Sequence, residues 1–306
     1  MAKRAVNKYW EIFVKIKYFN FLNREHMTGI NDNEIIRGIF QISAEFSCDI
    51  GNPLKKVTGT GFFVSNDKNR LFFITSKHNL DPSLKLGNDT TYKLTKISLR
   101  LRKKYDSFLL LETKWIPLKN CDSIKHSLCC DVSAIYNFEI DDSEKINIHE
   151  YQPNPFPFSE IADSGYFNKN ISMMDQASFI GFPGEKNGWW DQEGDFPIAR
   201  TVNIASYPKK AFKNASVKTG DAVLVSGLSF SGSSGSPILL HQKGIFINPS
   251  QNIEIKNDGY VPPKIIGIMS GHWWDETSTP EMFKHTHSGL SYFTKSTAIC
   301  DLINEP

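Results

Sequence analysis

From about Ile39 onward the apolar residues come in short runs rich in Ile, Val, Phe and Thr, each broken off by Gly, Asn, Asp or Pro. GIFQISAEF, GTGFFVS, RLFFITS, ISLRLR, FLLLETKWI, VSAIYNF, QASFIGF, AVLVSG, PILL and KIIGIMSG are such runs, and several adjoin turn clusters such as Ser65-Asn66-Asp67. β-branched and aromatic residues suit a pleated, half-buried surface, and Gly, Asn and Asp suit the turns between strands. Many short strands joined by turns imply an all-β chain built as a sandwich or a pair of barrels. Near the middle lies the proline-dotted stretch YQPNPFPFSEIADSG. Proline cannot donate within a strand ladder, so this stretch suits a connection between two β-halves. No internal sequence repeat, low-complexity tract or heptad pattern interrupts the picture.

The 306 residues suffice for one large core or two small ones. A formal net charge of +2 supplies no global drive toward nucleic acid or a membrane surface. The five cysteines, Cys48, Cys121, Cys129, Cys130 and Cys300, are odd in number and two are adjacent, unlike an evenly paired secreted framework. Reduced thiols of a cytoplasmic protein are the simpler expectation. The N-terminus agrees: Asn7, Lys8, Glu11, Lys15 and Lys17 interrupt what would be the apolar core of a signal peptide. Trp10, Phe13, Val14, Tyr18, Phe21 and Leu22 fit one helix face, so residues 1–36 read as a terminal extension expected to pack on the main body, with a docking or membrane-surface segment as the alternative.

Three local patterns carry chemistry. In Gly232-Ser233-Ser234-Gly235-Ser236-Pro237, a serine sits in a tight glycine-flanked turn. A serine hydroxyl is a weak nucleophile that needs a base beside it and N–H groups aimed at the developing oxyanion. In Ile74-Thr75-Ser76-Lys77-His78, a histidine leaves the end of an apolar strand, where it can serve as a base near neutral pH. In Asp131-Val132-Ser133-Ala134-Ile135, an acid opens an alternating strand and can hold an imidazole tautomer. Each alone has an ordinary reading as a turn or surface residue. Together, in the order His, Asp, Ser, they form the constellation of acyl-transfer catalysis.

With these residues in view, the chain from about 37 to 300 resembles the trypsin/chymotrypsin superfamily, and within it the bacterial HtrA-type branch. Gly59-Thr60-Gly61-Phe62-Phe63-Val64 resembles the hairpin before the catalytic histidine, Thr75-Ser76-Lys77-His78 the segment carrying it, and Asp131-Val132-Ser133-Ala134-Ile135 the aspartate strand. Gly181-Phe182-Pro183-Gly184, Pro197-Ile198-Ala199-Arg200 with Ile204-Ala205-Ser206, Gly232 to Pro237, and Gly267-Ile268-Met269-Ser270-Gly271 resemble successive elements of the second barrel. The resemblance implies two six-stranded Greek-key β-barrels, 37–160 with the histidine and aspartate and 161–306 with the serine, followed by a short C-terminal helix. So little chain follows the last barrel segment that the peptide-binding domain common in that branch is not expected.

The resemblance also implies roles. His78, Asp131 and Ser234 form the triad, and the N–H groups of Gly232 and Ser234 form the oxyanion hole. Leu228, Ser270, Gly271 and His272 line the substrate cleft. Leu228 stands where basic-specific relatives carry an aspartate, so an uncharged residue is expected at the cleaved position; His272 stands where a glycine often keeps the pocket open. No metal or cofactor is called for, and the partner is a protein or peptide substrate, with room for an activating protein. The departures are Ser236 for a second glycine, Ser233 for the aspartate that pairs with a newly cut N-terminus in trypsin, and Lys77 directly before His78. Ser233 implies activity without N-terminal trimming, and Lys77 either depresses the basicity of His78 or points to solvent. Trp189-Trp190 and Trp273-Trp274 either wall subsites or pack loops onto the barrel, and residues 248–263 suit a surface hairpin insertion. The rival readings are a catalytically inactive barrel that binds peptide, a processing protease kept quiet until a partner reshapes it, and an esterase.

Overall fold

A computed structural model describes residues 38–48, 54–68, 70–85, 92–102, 113–118, 123–136, 153–184, 188–213, 220–244, 261–275 and 286–304. The N-terminal extension, Cys121 and most of the 248–263 insertion lie outside the described residues. Among the described residues the regular structure is mostly β, with only short helices. Its first half contributes β1 (Ile39–Cys48), β2 (Lys55–Ser65), β3 (Leu71–Thr75), β4 (Tyr92–Arg102), β5 (Thr113–Pro117), β6 (Ile124–His126), β7 (Ser133–Ile135) and the two-residue β8 (Phe156–Pro157). They form one sheet in the order β5-β4-β1-β2-β3-β7-β6, with β8 added beside β2. The second half contributes β9 (Gln176–Gly181), β10 (Ile198–Ile204), β11 (Ala222–Ser226), β12 (Pro237–Leu240), β13 (Ile265–Asp275) and β14 (Thr286–Lys295). These close into a barrel in the order β10-β11-β14-β13-β12-β9, every pair antiparallel.

The two halves share one topology. In the barrel the first strand pairs the second and fourth, the third pairs the sixth, and the fifth lies between the fourth and sixth. In the first half β5 pairs β4 while β6 pairs β7, so β5 and β6 together occupy the place of the fifth strand. They are consecutive in the chain and mark the two ends of the sheet path. From Pro117 to Ile124 the chain reaches at most about 25 Å, so the sheet must curl back on itself. The expected two six-stranded Greek-key halves are therefore present, with one strand broken in two.

Three apolar clusters hold this arrangement. One lies inside the first half, around Phe46, Phe63, Phe73, Ile97 and Leu99; another fills the barrel, around Phe179, Val223, Ile238 and Phe293. The third lies between the halves and joins Phe62, Ile74 and Val132 to Ile180, Phe182, Leu239 and Ile268. The C-terminal helix Thr297–Asn304 buries Ala298, Ile299, Leu302 and Ile303, one helical stripe, in this third cluster. Each fully buried Phe or Ile contributes roughly 2–3 kcal/mol of transfer free energy, so the junction between halves is a core and not a loose contact. The proline-dotted stretch supplies β8, a 3-10 turn at Phe158–Glu160 and the start of the helix Ser164–Asn170. Among the described residues no helix is long and apolar enough to cross a membrane.

Candidate active site

β3 ends at Thr75, and the chain turns into a 3-10 helix, Lys77–Asn79, that carries His78 outward. Asp131 lies in the turn between β6 and β7, which is closed by the Ser127 N–H donating to Val132 O at 3.0 Å. β7 pairs β3, so this turn is brought beside the 3-10 helix. His78 Nδ1 lies 2.8 Å from Asp131 Oδ2, and the His78 main-chain N–H donates to Asp131 Oδ1 at 3.0 Å. Both carboxylate oxygens are thus engaged by one histidine, and Asp131 is buried. Tyr292 stands near enough that burial and the Asp131 charge push its phenol up to about 12.

Ser234 comes from the other half, in the turn between β11 and β12. Its carbonyl oxygen accepts from the Thr60 N–H at 2.9 Å and from Asn79 Nδ2 at 3.1 Å. The residue beside His78 therefore grips the main chain of Ser234. Thr60 Oγ1 also donates to Gly232 O at 2.8 Å, and Thr75 Oγ1 donates to Thr60 O at 2.7 Å. Among the described residues no hydrogen bond joins the Ser234 hydroxyl to His78. Catalytic hydrogen bonds are often long before substrate arrives, so the pairing can still tighten on binding.

Main-chain accounting around Ser234 is informative. The Ser233 N–H donates to Phe230 O, the Gly235 N–H to Met269 O and the Ser236 N–H to Ser233 O. The N–H groups of Gly232 and Ser234 have no acceptor among the described residues. Ser231 O accepts from the Gly184 N–H at 2.8 Å, and Ser233 O is held by Ser236. In a trans peptide the N–H points opposite the C=O, so the Gly232 N–H points away from Gly184 and the Ser234 N–H away from the Ser236 N–H. Gly232 and Gly235 adopt φ of 91° and 89°, which other residues rarely reach, and this sets the turn's shape.

The surroundings of Ser236, Ser233 and Lys77 account for these three residues physically. Ser236 is fully buried opposite Gly181, where an added Cβ would stand 2.0 Å from Ser236 Oγ. The missing side chain at Gly181 makes room for the extra one at Ser236. Ser233 is buried, with its hydroxyl 3.5 Å from the Phe230 N–H, and carries no charge to pair with an N-terminus. Lys77 turns toward the β6–β7 turn: its Nζ donates to Ser127 O at 3.2 Å and lies 3.9 Å from Asp81.

The predicted cleft residues gather on one side. Ser270 is buried, with Oγ 2.8 Å from Thr294 Oγ1. Gly271 lies opposite Tyr292 and His272 opposite Ser291. Leu228 is exposed, while its neighbour Ser229 lies 3.3 Å from His272 Nδ1. His287, which nothing in the sequence singled out, stacks on His272 with centroids 4.6 Å apart. Burial, helped by His287, lowers His272 to about 4; burial also lowers His287, with Arg200 adding to it. Trp189 packs on Phe230, Trp190 on Phe182, and Trp273 on Phe212 and Tyr292, so these three hold loops against the barrel. Thr60 and Asn79, the clamp on Ser234, also escaped the sequence reading. Among the described residues no group of three His, Cys, Asp or Glu side chains could hold a metal ion.

No family model and no curated protein sequence matches the chain. Among solved structures it is similar to Deg5, with a TM-score of 0.44 and 12% identity over 88% of each chain. It is also similar to AL20, a thermostable serine protease from an extremophilic microorganism, with a TM-score of 0.42 and 11% identity over 88% of this chain and 96% of that one. Likenesses this distant pass no residue's role to this chain.

Proposed function

We propose that the chain is a serine endopeptidase that cleaves peptide bonds through an acyl-enzyme. The carrying observation is the union, across the two halves, of the His78–Asp131 pair with a turn whose Gly232 and Ser234 N–H groups are unclaimed. Ser234 attacks the scissile carbonyl. His78 takes its proton and returns it to the leaving amine, while Asp131 holds the proton on Nδ1 so that Nε2 is the free base. The oxyanion falls between these two N–H groups, each worth about 3–4 kcal/mol in the transition state. The held carbonyls of Ser231 and Ser233 support a hole that forms without a partner protein.

Substrate binds as an added strand. β12 pairs β13 only as far as Pro237 with Ile268, so beyond Met269 that edge of β13 runs past the Ser234 turn without a strand partner among the described residues. Ser270 to His272 can then pair with an extended peptide and bring its carbonyl to Ser234. Leu228 and neutral His272 favour an uncharged residue at the cleaved position. We take 37–160 and 161–306 as the two halves that must meet for the site to exist. The test is labelling by a fluorophosphonate, with wild type against Ser234→Ala and His78→Ala. Labelling of wild type alone is expected; equal labelling of Ser234→Ala sinks the assignment. A folded wild type that takes no label while binding peptide would favour the inactive peptide-binding barrel, for which the missing Ser234–His78 hydrogen bond is the one supporting observation.

A further inference from the structure

Cys129 and Cys130 immediately precede Asp131, in the turn that delivers the carboxylate to His78. Their sulfurs lie 3.4 Å apart, with Cys129 exposed and Cys130 buried. The turn is held by the Cys130 N–H donating to Ser127 Oγ at 3.2 Å and by the Ser127–Val132 bond. On its inner side it meets the segment leading into β11. A Cβ added at Gly220 would stand 2.3 Å from Cys129 O and 2.6 Å from Cys130 Sγ.

We propose that Cys129 and Cys130 form a reversible vicinal disulfide that switches off the site by displacing Asp131. The oxidant is a peroxide. The exposed Cys129 thiolate attacks one peroxide oxygen and becomes a sulfenic acid, and the other oxygen leaves as water. The Cys130 sulfur then displaces the sulfenic oxygen as a second water and closes the S–S bond. Two thiols are oxidised by two electrons and one peroxide is reduced to two waters. The division of labour follows from the surroundings: burial pushes the Cys130 thiol up to about 11, so Cys129 is the attacking group.

The bond requires movement. The sulfurs must close from 3.4 Å to about 2.05 Å. Adjacent Cα atoms are only about 3.8 Å apart, below the usual span of a disulfide, so the ring is strained and readily reduced. That strain twists the 129–130 peptide and disturbs the Cys130–Ser127 bond. Contact with Gly220 blocks relief toward the barrel, leaving the free side of the turn, where Asp131 follows by one peptide. Two hydrogen bonds of 2.8 and 3.0 Å hold that carboxylate to His78, and neither tolerates a displacement much above half an ångström.

The inhibitory consequence rests on Asp131 orienting His78 as proposed above; disulfide formation does not. The experiment treats reduced protein with a small excess of hydrogen peroxide, blocks remaining thiols with iodoacetamide, and maps peptides by mass spectrometry. A fluorophosphonate labelling rate is measured on the same samples. The expected peptide carries Cys129 and Cys130 unalkylated and two hydrogens lighter, with labelling slowed about tenfold or more. Dithiothreitol restores both. Cys129→Ser, at an exposed position, and Cys130→Ala should each keep their labelling rate through peroxide, with thermal denaturation confirming that they fold. Full alkylation of both cysteines after peroxide, or a bridge from either one to another cysteine, overturns the proposal. A vicinal disulfide that leaves labelling unchanged overturns the switch. Should reduced wild type never label, the peptidase reading fails, while the peptide map still decides the disulfide.

Discussion

Replacing Asp131 by asparagine exchanges one carboxylate oxygen for an amide nitrogen at constant volume, and the surroundings dictate which way the amide lies. The main-chain N–H of His78 can only donate, so the position it addresses at 3.0 Å must keep an oxygen. The amide NH2 then faces His78 Nδ1 across 2.8 Å. Two donors cannot share that contact, so Nδ1 becomes the acceptor and the proton moves to Nε2, the atom that in the proposed mechanism receives the proton of Ser234. Restoring the active tautomer sets N–H against N–H in a buried place, which costs about 2–3 kcal/mol. The imidazolium of the transition state also loses a charge-assisted bond worth roughly 2–3 kcal/mol. Their sum, about 5 kcal/mol, corresponds to a rate loss of roughly 5,000-fold. The assay is the pseudo-first-order rate of fluorophosphonate labelling near neutral pH, for wild type and Asp131→Asn, with thermal denaturation confirming that both are folded. A variant labelled within tenfold of wild type would refute the tautomer argument and with it the role of Asp131.

Three further outcomes are expected. Gly235→Ala places a Cβ 2.0 Å from Thr60 O and 2.6 Å from Thr75 Oγ1 at a φ of 89°, prying open the clamp between the halves. A stability loss of about 3 kcal/mol or more should appear in the urea midpoint, and an unchanged midpoint would contradict the packing described. Arg102, whose burial lowers it to about 10, donates from Nη1 to Ile39 O at 3.2 Å and from Nε and Nη2 to Asp195 O at 3.1 and 3.0 Å. Arg102→Leu leaves these carbonyls without their donor, so guanidinium denaturation should register a loss of roughly 3 kcal/mol, and a neutral effect would dismiss the tie as ornamental. Finally, the depressed His272 stays neutral in the fold while the unfolded chain takes up a proton from about pH 6.5 downward. Stability is fully present above that pH and is lost as pH falls toward about 4. The melting temperature of His272→Gln should fall less over this interval than that of wild type; parallel curves would show that this histidine does not contribute.

The parts legible in the sequence were those with a local signature. Short runs of β-branched and aromatic residues announced the strands; burial alternates in Val202-Asn203-Ile204, as one covered sheet face requires, while Ser133-Ala134-Ile135 is buried throughout. The three segments of the proposed triad stood out because each joins a reactive side chain to a strand end or a glycine turn. What stayed hidden depends on residues that meet only after folding. Ser236 was legible only as a departure from a second glycine, and the space it occupies is left by Gly181, from a different strand. The stacking of His272 on His287 could not be foreseen because adjacent strands β13 and β14 bring them together through a bulged register. The shared topology of the halves left no sequence repeat, since strand order is governed by pairing and short connections and tolerates any residues that keep the buried pattern.

The clamp on Ser234 ties these observations together. The proposed nucleophile Ser234 and base His78 lie on different halves, so their relative placement depends on how the halves dock. Apolar packing alone, as between Phe62 and Phe182, resists separation but is not directional. Direction comes from Thr60 and Asn79, which deliver two hydrogen bonds from the first half to the carbonyl of Ser234 itself. Asn79 follows His78 in the same 3-10 turn, so any shift of the base carries the grip on the nucleophile with it. Geometry in the site is therefore set by adjacency in the chain on one side and by a main-chain acceptor on the other. Asn79→Ala, which keeps the side chains of the proposed triad, removes both hydrogen bonds of a buried amide, so labelling should slow and the urea midpoint should register a loss of about 1–3 kcal/mol; labelling at the wild-type rate would refute the clamp.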